Sequence, residues 1–117
     1  MDNIVIFSLN GCGWSSSSLS TLKEKKIKHG IVHVSHDNKD EYKNINNMST
    51  FPQIFYKNIN NIKIKIGGNS DLNYLLDLVK ATYEKKTDDS FDDMVNTIQT
   101  KLSLDKRDIL RLIYLLT

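Results

Sequence analysis

Cysteine occurs once, as Cys12, and proline once, as Pro52. A single thiol excludes an internal disulfide framework and any zinc site built from several cysteines of one chain. An excess of one charge sign is missing too: 16 Lys plus Arg stand against 14 Asp plus Glu, for a net +2. That is far from the dense basic footprint that phosphate backbones require, so no nucleic-acid partner is expected. Long hydrophobic runs are also lacking. Ile4 to Phe7 and Ile109 to Leu116, the latter broken by Arg111, fall short of the ~20 residues that cross a bilayer. No membrane partner is expected. Met1-Asp2-Asn3 puts no basic stretch ahead of Ile4, and no small-residue cleavage site follows, so a cytoplasmic chain is the expectation.

The sequence does supply one core's worth of apolar residues, 39% hydrophobic against 26% charged over 117 residues, an ordinary balance for a single folded domain. Ile4 to Phe7 reads as a buried strand closed by the turn residues Asn10-Gly11. Trp14 to Lys28 reads as a helix with Leu19, Leu22 and Ile27 on one face, although Ser15 to Ser18 are indifferent helix formers. His29-Gly30 ends it, and Ile31 to Val34 is a second strand. A short polar helix capped by Asp37 or Asn38 runs through Tyr42 and Ile45 and closes at Asn46-Asn47. Pro52 opens a strand, Gln53 to Tyr56, at the position where a missing amide hydrogen is tolerated. A turn over Asn58 to Asn61 leads into Ile62, Ile64 and Ile66, which alternate with Lys63 and Lys65. Gly67-Gly68 stops that strand, and Leu72, Leu75, Leu76, Leu78 and Val79 line a helix capped by Ser70 or Asp71.

This gives βαβαββα order over residues 3 to about 84, an α/β chain of thioredoxin-like type: a mixed four-stranded sheet flanked by helices. Residues 1–84 are expected to form that domain and residues 85–117 a C-terminal helical extension. Lys85 to Asp89 is a charged joint. Ser90-Phe91-Asp92-Asp93 is a capping-box pattern before a helix through Met94, Ile98 and Leu102. Ser103 or Asp105 starts a last helix, whose Ile109, Leu110, Leu112, Ile113, Leu115 and Leu116 cover more than one face. That surface has three destinations: its own domain, a second copy of the chain, or a partner protein.

Cys12 falls between a strand and a helix, where unpaired amides and the helix dipole favour the thiolate. Its position allows a nucleophile or a small buried hydrophobe. His29, His33 and His36 lack a metal-ligand pattern, since no acidic or sulfur ligand clusters with them, and no metal site is expected.

Three segments in order, Cys12-Gly13-Trp14-Ser15, Thr50-Phe51-Pro52-Gln53-Ile54-Phe55 and Gly67-Gly68-Asn69-Ser70-Asp71-Leu72, resemble those of glutaredoxins. The resemblance covers roughly residues 3 to 84. It implies that Cys12 attacks glutathione mixed disulfides and that exchange passes through the glutathionylated protein. Because Ser15 stands where a resolving cysteine would be, only monothiol routes remain. The resemblance also implies a cis Phe51-Pro52 bond, with the Phe51 backbone against the cysteine part of glutathione and Thr50 and Pro52 also among the glutathione-binding residues. Gly68, Asn69, Ser70 and Asp71 would hold the γ-glutamyl end, its carboxylate at the start of a helix. Lys39 matches a basic site of the family, with Lys43 a second candidate, and Trp14 offers a flat apolar contact for glutathione or a protein substrate. The sequence departs from the family at Leu9, where relatives carry a lysine three residues before the cysteine. That removes a positive charge favouring both the thiolate and the glycyl carboxylate.

Two other functions compete with a glutathione-dependent oxidoreductase. Cys-Gly-Trp-Ser is close to the Cys-Gly-Phe-Ser of cluster-binding relatives, in which two chains and two glutathiones hold a [2Fe–2S] cluster, although the short loop Ser8 to Gly11 favours the catalytic class. A degenerate scaffold recruiting a partner through its C-terminal helices is the third reading, supported by Leu9.

Overall fold

The computed structural model describes all 117 residues. The elements run β1 (Asn3–Leu9), α1 (Gly13–Glu24), β2 (His29–Val34), α2 (Lys39–Asn46), β3 (Gln53–Lys57), β4 (Lys63–Gly67), α3 (Asn69–Tyr83), α4 (Phe91–Leu102) and α5 (Lys106–Leu116). The sheet order is β2-β1-β3-β4. β1 pairs parallel with β2 and antiparallel with β3, and β3 pairs antiparallel with β4. This is the expected thioredoxin-like mixed sheet. No helix is long and apolar enough to cross a membrane.

Alternation along β1 divides the interior in two. Ile4 and Ile6 join a cluster of nineteen apolar residues that takes in Leu22 of α1 and Leu72, Leu75, Leu76 and Val79 of α3. Phe7 faces the other way into a smaller cluster with Val34, Phe51 and Phe55, against which Tyr42 of α2, Cys12 and Met48 pack. The C-terminal helices belong to the larger cluster: Met94, Val95, Ile98, Leu104, Ile109, Leu112, Ile113 and Leu116 are all buried in it. The apolar stripe of α5 therefore covers the chain's own core.

Several boundaries differ from those expected. Helix α1 stops at Glu24 rather than Lys28, because Lys26 takes the left-handed conformation (φ 56°). The Ile27 amide then donates to the Leu22 carbonyl at 3.0 Å and the Lys26 amide to Lys23 at 3.1 Å. This is the double bond of a Schellman stop, made with lysine where glycine is usual. Strand β2 begins two residues early, since His29 and Gly30 pair with Ile4 and Val5. Ile62 lies outside β4 and is exposed. The cap of α3 is Gly68, not Ser70 or Asp71. Asp71 occupies the third helical position and accepts the Gly68 amide at 2.9 Å, the reciprocal half of a capping box. Asp105, rather than Ser103, caps α5 by accepting the Asp108 amide at 2.8 Å.

Candidate active site

Cys12 is the N-cap of α1. The turn that delivers it needs Gly11 at φ 77°, a conformation costly for a residue with a Cβ. The turn is fastened on both sides: the Asn10 amide donates to the Val34 carbonyl at 2.9 Å, and His36 Nε2 lies 3.1 Å from the Asn10 carbonyl. The thiol sits half-buried against the smaller apolar cluster, with Sγ 3.9 Å from the Phe51 carbonyl. Phe51-Pro52 is cis, as expected.

Burial pushes the Cys12 thiol up, but the Ser15 amide, the Ser15 hydroxyl and the Trp14 amide more than offset it and hold the thiol below its ordinary value. No acidic residue lies in the first turn of α1 to oppose the thiolate. Ser15 is fully buried, and its oxygen accepts the Leu9 amide at 3.2 Å. That bond leaves the hydroxyl proton free to donate to sulfur. The sequence marks Ser15 only by the cysteine it replaces; its hydrogen bonds arise only where the fold brings it beside Leu9 and Cys12. Ser15→Ala is therefore expected to slow alkylation of Cys12 by iodoacetamide at pH 7 about two- to tenfold, the scale of one ordinary hydrogen bond. The rate–pH profile should move to higher pH; an unmoved profile would show that the hydroxyl does not reach the thiolate.

A groove beside the thiol is lined by Trp14, Met48, Thr50, Phe51, Pro52, Gly68, Asn69, Ser70 and Asp71. The fold thus brings together eight of the nine residues assigned to glutathione. The ninth, Lys39, lies in the first turn of α2 and does not line the groove. Lys43 is 3.8 Å from Asp40 on the same helix. Trp14 is 68% exposed, so its ring is a free wall of the groove. Asn69 accepts the buried Ser18 hydroxyl at 2.6 Å, which ties the start of α3 to α1. Met48 was missed by the sequence reading because nothing in Asn47-Met48-Ser49 separates a groove residue from a loop residue. It is positioned by Gln53, whose amide donates to the Met48 carbonyl at 3.3 Å and whose oxygen accepts from Asn46 at 2.8 Å. Gly67, at φ 131°, lies so close to Asp71 that a Cβ there would run into the carboxylate.

No three His, Cys, Asp or Glu side chains converge anywhere in the molecule. One chain therefore offers a [2Fe–2S] cluster a single thiolate, and the remaining ligands would have to come from a second chain and bound thiols.

The sheet order, the cis-proline loop and a thiol at the N-cap of α1 define a thiol protein of the thioredoxin fold. Residues 4–59 match the family model of glutaredoxins. Among solved structures, glutaredoxin 1 from Francisella tularensis, crystallised with cacodylate, is similar with a TM-score of 0.55 and 21% identity, covering 66% of this chain and 94% of that one. The likeness is one of fold. No curated protein matches the chain.

Proposed function

We propose that the protein is a monothiol, glutathione-dependent oxidoreductase that acts on protein–glutathione mixed disulfides through Cys12. The observation that carries this reading is the thiol itself, held below its ordinary pKa at the edge of a groove lined by Trp14, Phe51, Pro52 and the Gly68 to Asp71 segment. The Cys12 thiolate attacks the glutathione sulfur of the mixed disulfide; that S–S bond breaks, and the substrate sulfur leaves as a thiolate that takes a proton from water. Cys12 is now joined to glutathione. The thiolate of a second glutathione attacks the bound glutathione sulfur, releasing oxidised glutathione and restoring the Cys12 thiolate. Atoms and electrons balance with glutathione as the only reductant, and no second cysteine is required.

Intact mass after incubation with oxidised glutathione tests this. The wild type should gain one glutathione, lose it on addition of reduced glutathione, and stay colourless under anaerobic conditions, while Cys12→Ser stays unmodified. A wild type that takes up no glutathione would overturn the proposal.

A further inference from the structure

The C-terminal extension approaches the groove at Lys101. Lys101, in the last turn of α4, places Nζ 3.8 Å from Asp71 Oδ1. The same ammonium lies 4.9 Å from the ring centroid of Tyr74, one turn along α3 from Asp71. Contact with the ring face holds the lysine over this spot. The Asp71 carboxylate is thus divided: Oδ2 accepts the Gly68 amide, and Oδ1 faces Lys101. The pair is long and open to solvent, with 37% of the Lys101 side chain and 39% of the Asp71 side chain exposed. Such pairs hold together weakly, so a ligand can replace water around them without first breaking a tight internal bond.

Beyond Asp71 the groove continues. A second depression, lined in part by Met48, Thr50, Asp71, Lys65 and Lys101, shares its first three residues with the groove beside the thiol. A ligand whose far end reaches Asp71 therefore meets one anion and one cation side by side. That arrangement complements an α-amino acid terminus, where an ammonium and a carboxylate sit on one carbon. The first amides of α3, which have no partner within the helix, add donors on the same side.

We propose that Lys101 is a binding residue for the α-carboxylate of the γ-glutamyl end of glutathione, with Asp71 taking the neighbouring ammonium, so that the C-terminal extension completes the co-substrate site. This rests on the glutathione-dependent reading above. It assigns Lys101 a role in compensating for the cation that Leu9 does not provide, although at the opposite end of the ligand.

The test uses the full chain and S-methylglutathione, which keeps the γ-glutamyl end but cannot exchange disulfides. Binding is read from the fluorescence of Trp14, the single tryptophan, in the groove wall. Lys101→Met is expected to bind about two- to fivefold more weakly, the scale of a solvent-exposed ion pair, and Lys101→Arg to bind as the wild type does. With a probe whose α-carboxylate is replaced by hydrogen, Lys101→Met and wild type should bind alike. Equal or tighter binding of S-methylglutathione by Lys101→Met overturns the assignment, as does equal weakening with both probes. If the wild type responds to neither probe while Cys12 still accepts glutathione from its disulfide, the Lys101 assignment falls alone. If Cys12 accepts none, the oxidoreductase reading falls and takes this one with it.

Discussion

A chain ending at Glu84 should fail to form a stable fold. Such a truncation removes α4 and α5, with eight of the nineteen residues of the main apolar cluster. The removed segment takes its own ordering entropy with it. The cost therefore lies in what it uncovers on α3 and β4, where Ile66, Leu72, Leu75, Leu76 and Val79 are now at most 4% exposed. Full exposure of an aliphatic side chain costs about 1.5–3 kcal/mol. Even partial exposure of these five removes much of the ~5–15 kcal/mol by which a domain of this size is stable. The expected result is a chain that binds a dye specific for apolar surface, elutes as aggregates and shows no cooperative melt. A monomeric truncation that melts sharply would show that residues 1–84 fold alone and that the helices serve another purpose.

Arg111→Ala should produce the second large loss, one that depends on pH. Asp2 is 4% exposed, and both its oxygens are held by Arg111, with Nε to Oδ2 at 2.9 Å and Nη2 to Oδ1 at 2.8 Å. The buried Tyr56 hydroxyl donates to Oδ2 at 3.2 Å. The Arg111 hydrogen bond is the main cause that holds the Asp2 carboxyl below its usual range, against burial, which pushes it up; the Arg111 charge and Tyr56 add to the lowering. Burial and the neighbouring Asp2 and Asp108 charges push the Tyr56 phenol up to about 12. A carboxyl whose pKa is lowered by folding stabilises the fold at pH above its unfolded value, and that stability is lost as pH falls through the folded value. The wild type should thus lose melting temperature as acid is added below about pH 5. Arg111→Ala should start lower at pH 7, because Asp2 is left buried without its partner, and should lose less on acidification. Tyr56→Phe, which removes one hydrogen bond worth about 1 kcal/mol, should cost less than Arg111→Ala at pH 7. Half of the Arg111 side chain is in solvent, and salt screening will moderate the effect. Parallel melting curves against pH for wild type and Arg111→Ala would remove Arg111 from this role.

Element order was legible in the sequence because each strand and helix carries its own hydrophobic period and because Gly11, Asn47, Gly67 and Ser90 stand where chain direction changes. The overrun of α1 has a local cause: Lys26 adopts a left-handed stop, at φ 56°, with a residue type that gives no such signal. The serine run looked like weak helix; yet Ser15 and Ser18 are buried and hydrogen-bonded to Leu9 and Asn69, which are tertiary contacts outside any local pattern. The groove residues came from short motifs and converge. Lys101 could not be found that way, since its only marks are an ion pair and a ring contact made across two helices.

The Asp2–Arg111 clasp joins residues 109 positions apart, which bears on the order in which contacts form as the chain folds. A contact that closes so long a loop repays the entropy of bringing its ends together only once nearer contacts have shortened the gap. The pairing of β1 with β2 and β3 and the docking of the last two helices therefore come first, and the clasp closes over them. Variants that weaken it should speed unfolding more than they slow refolding.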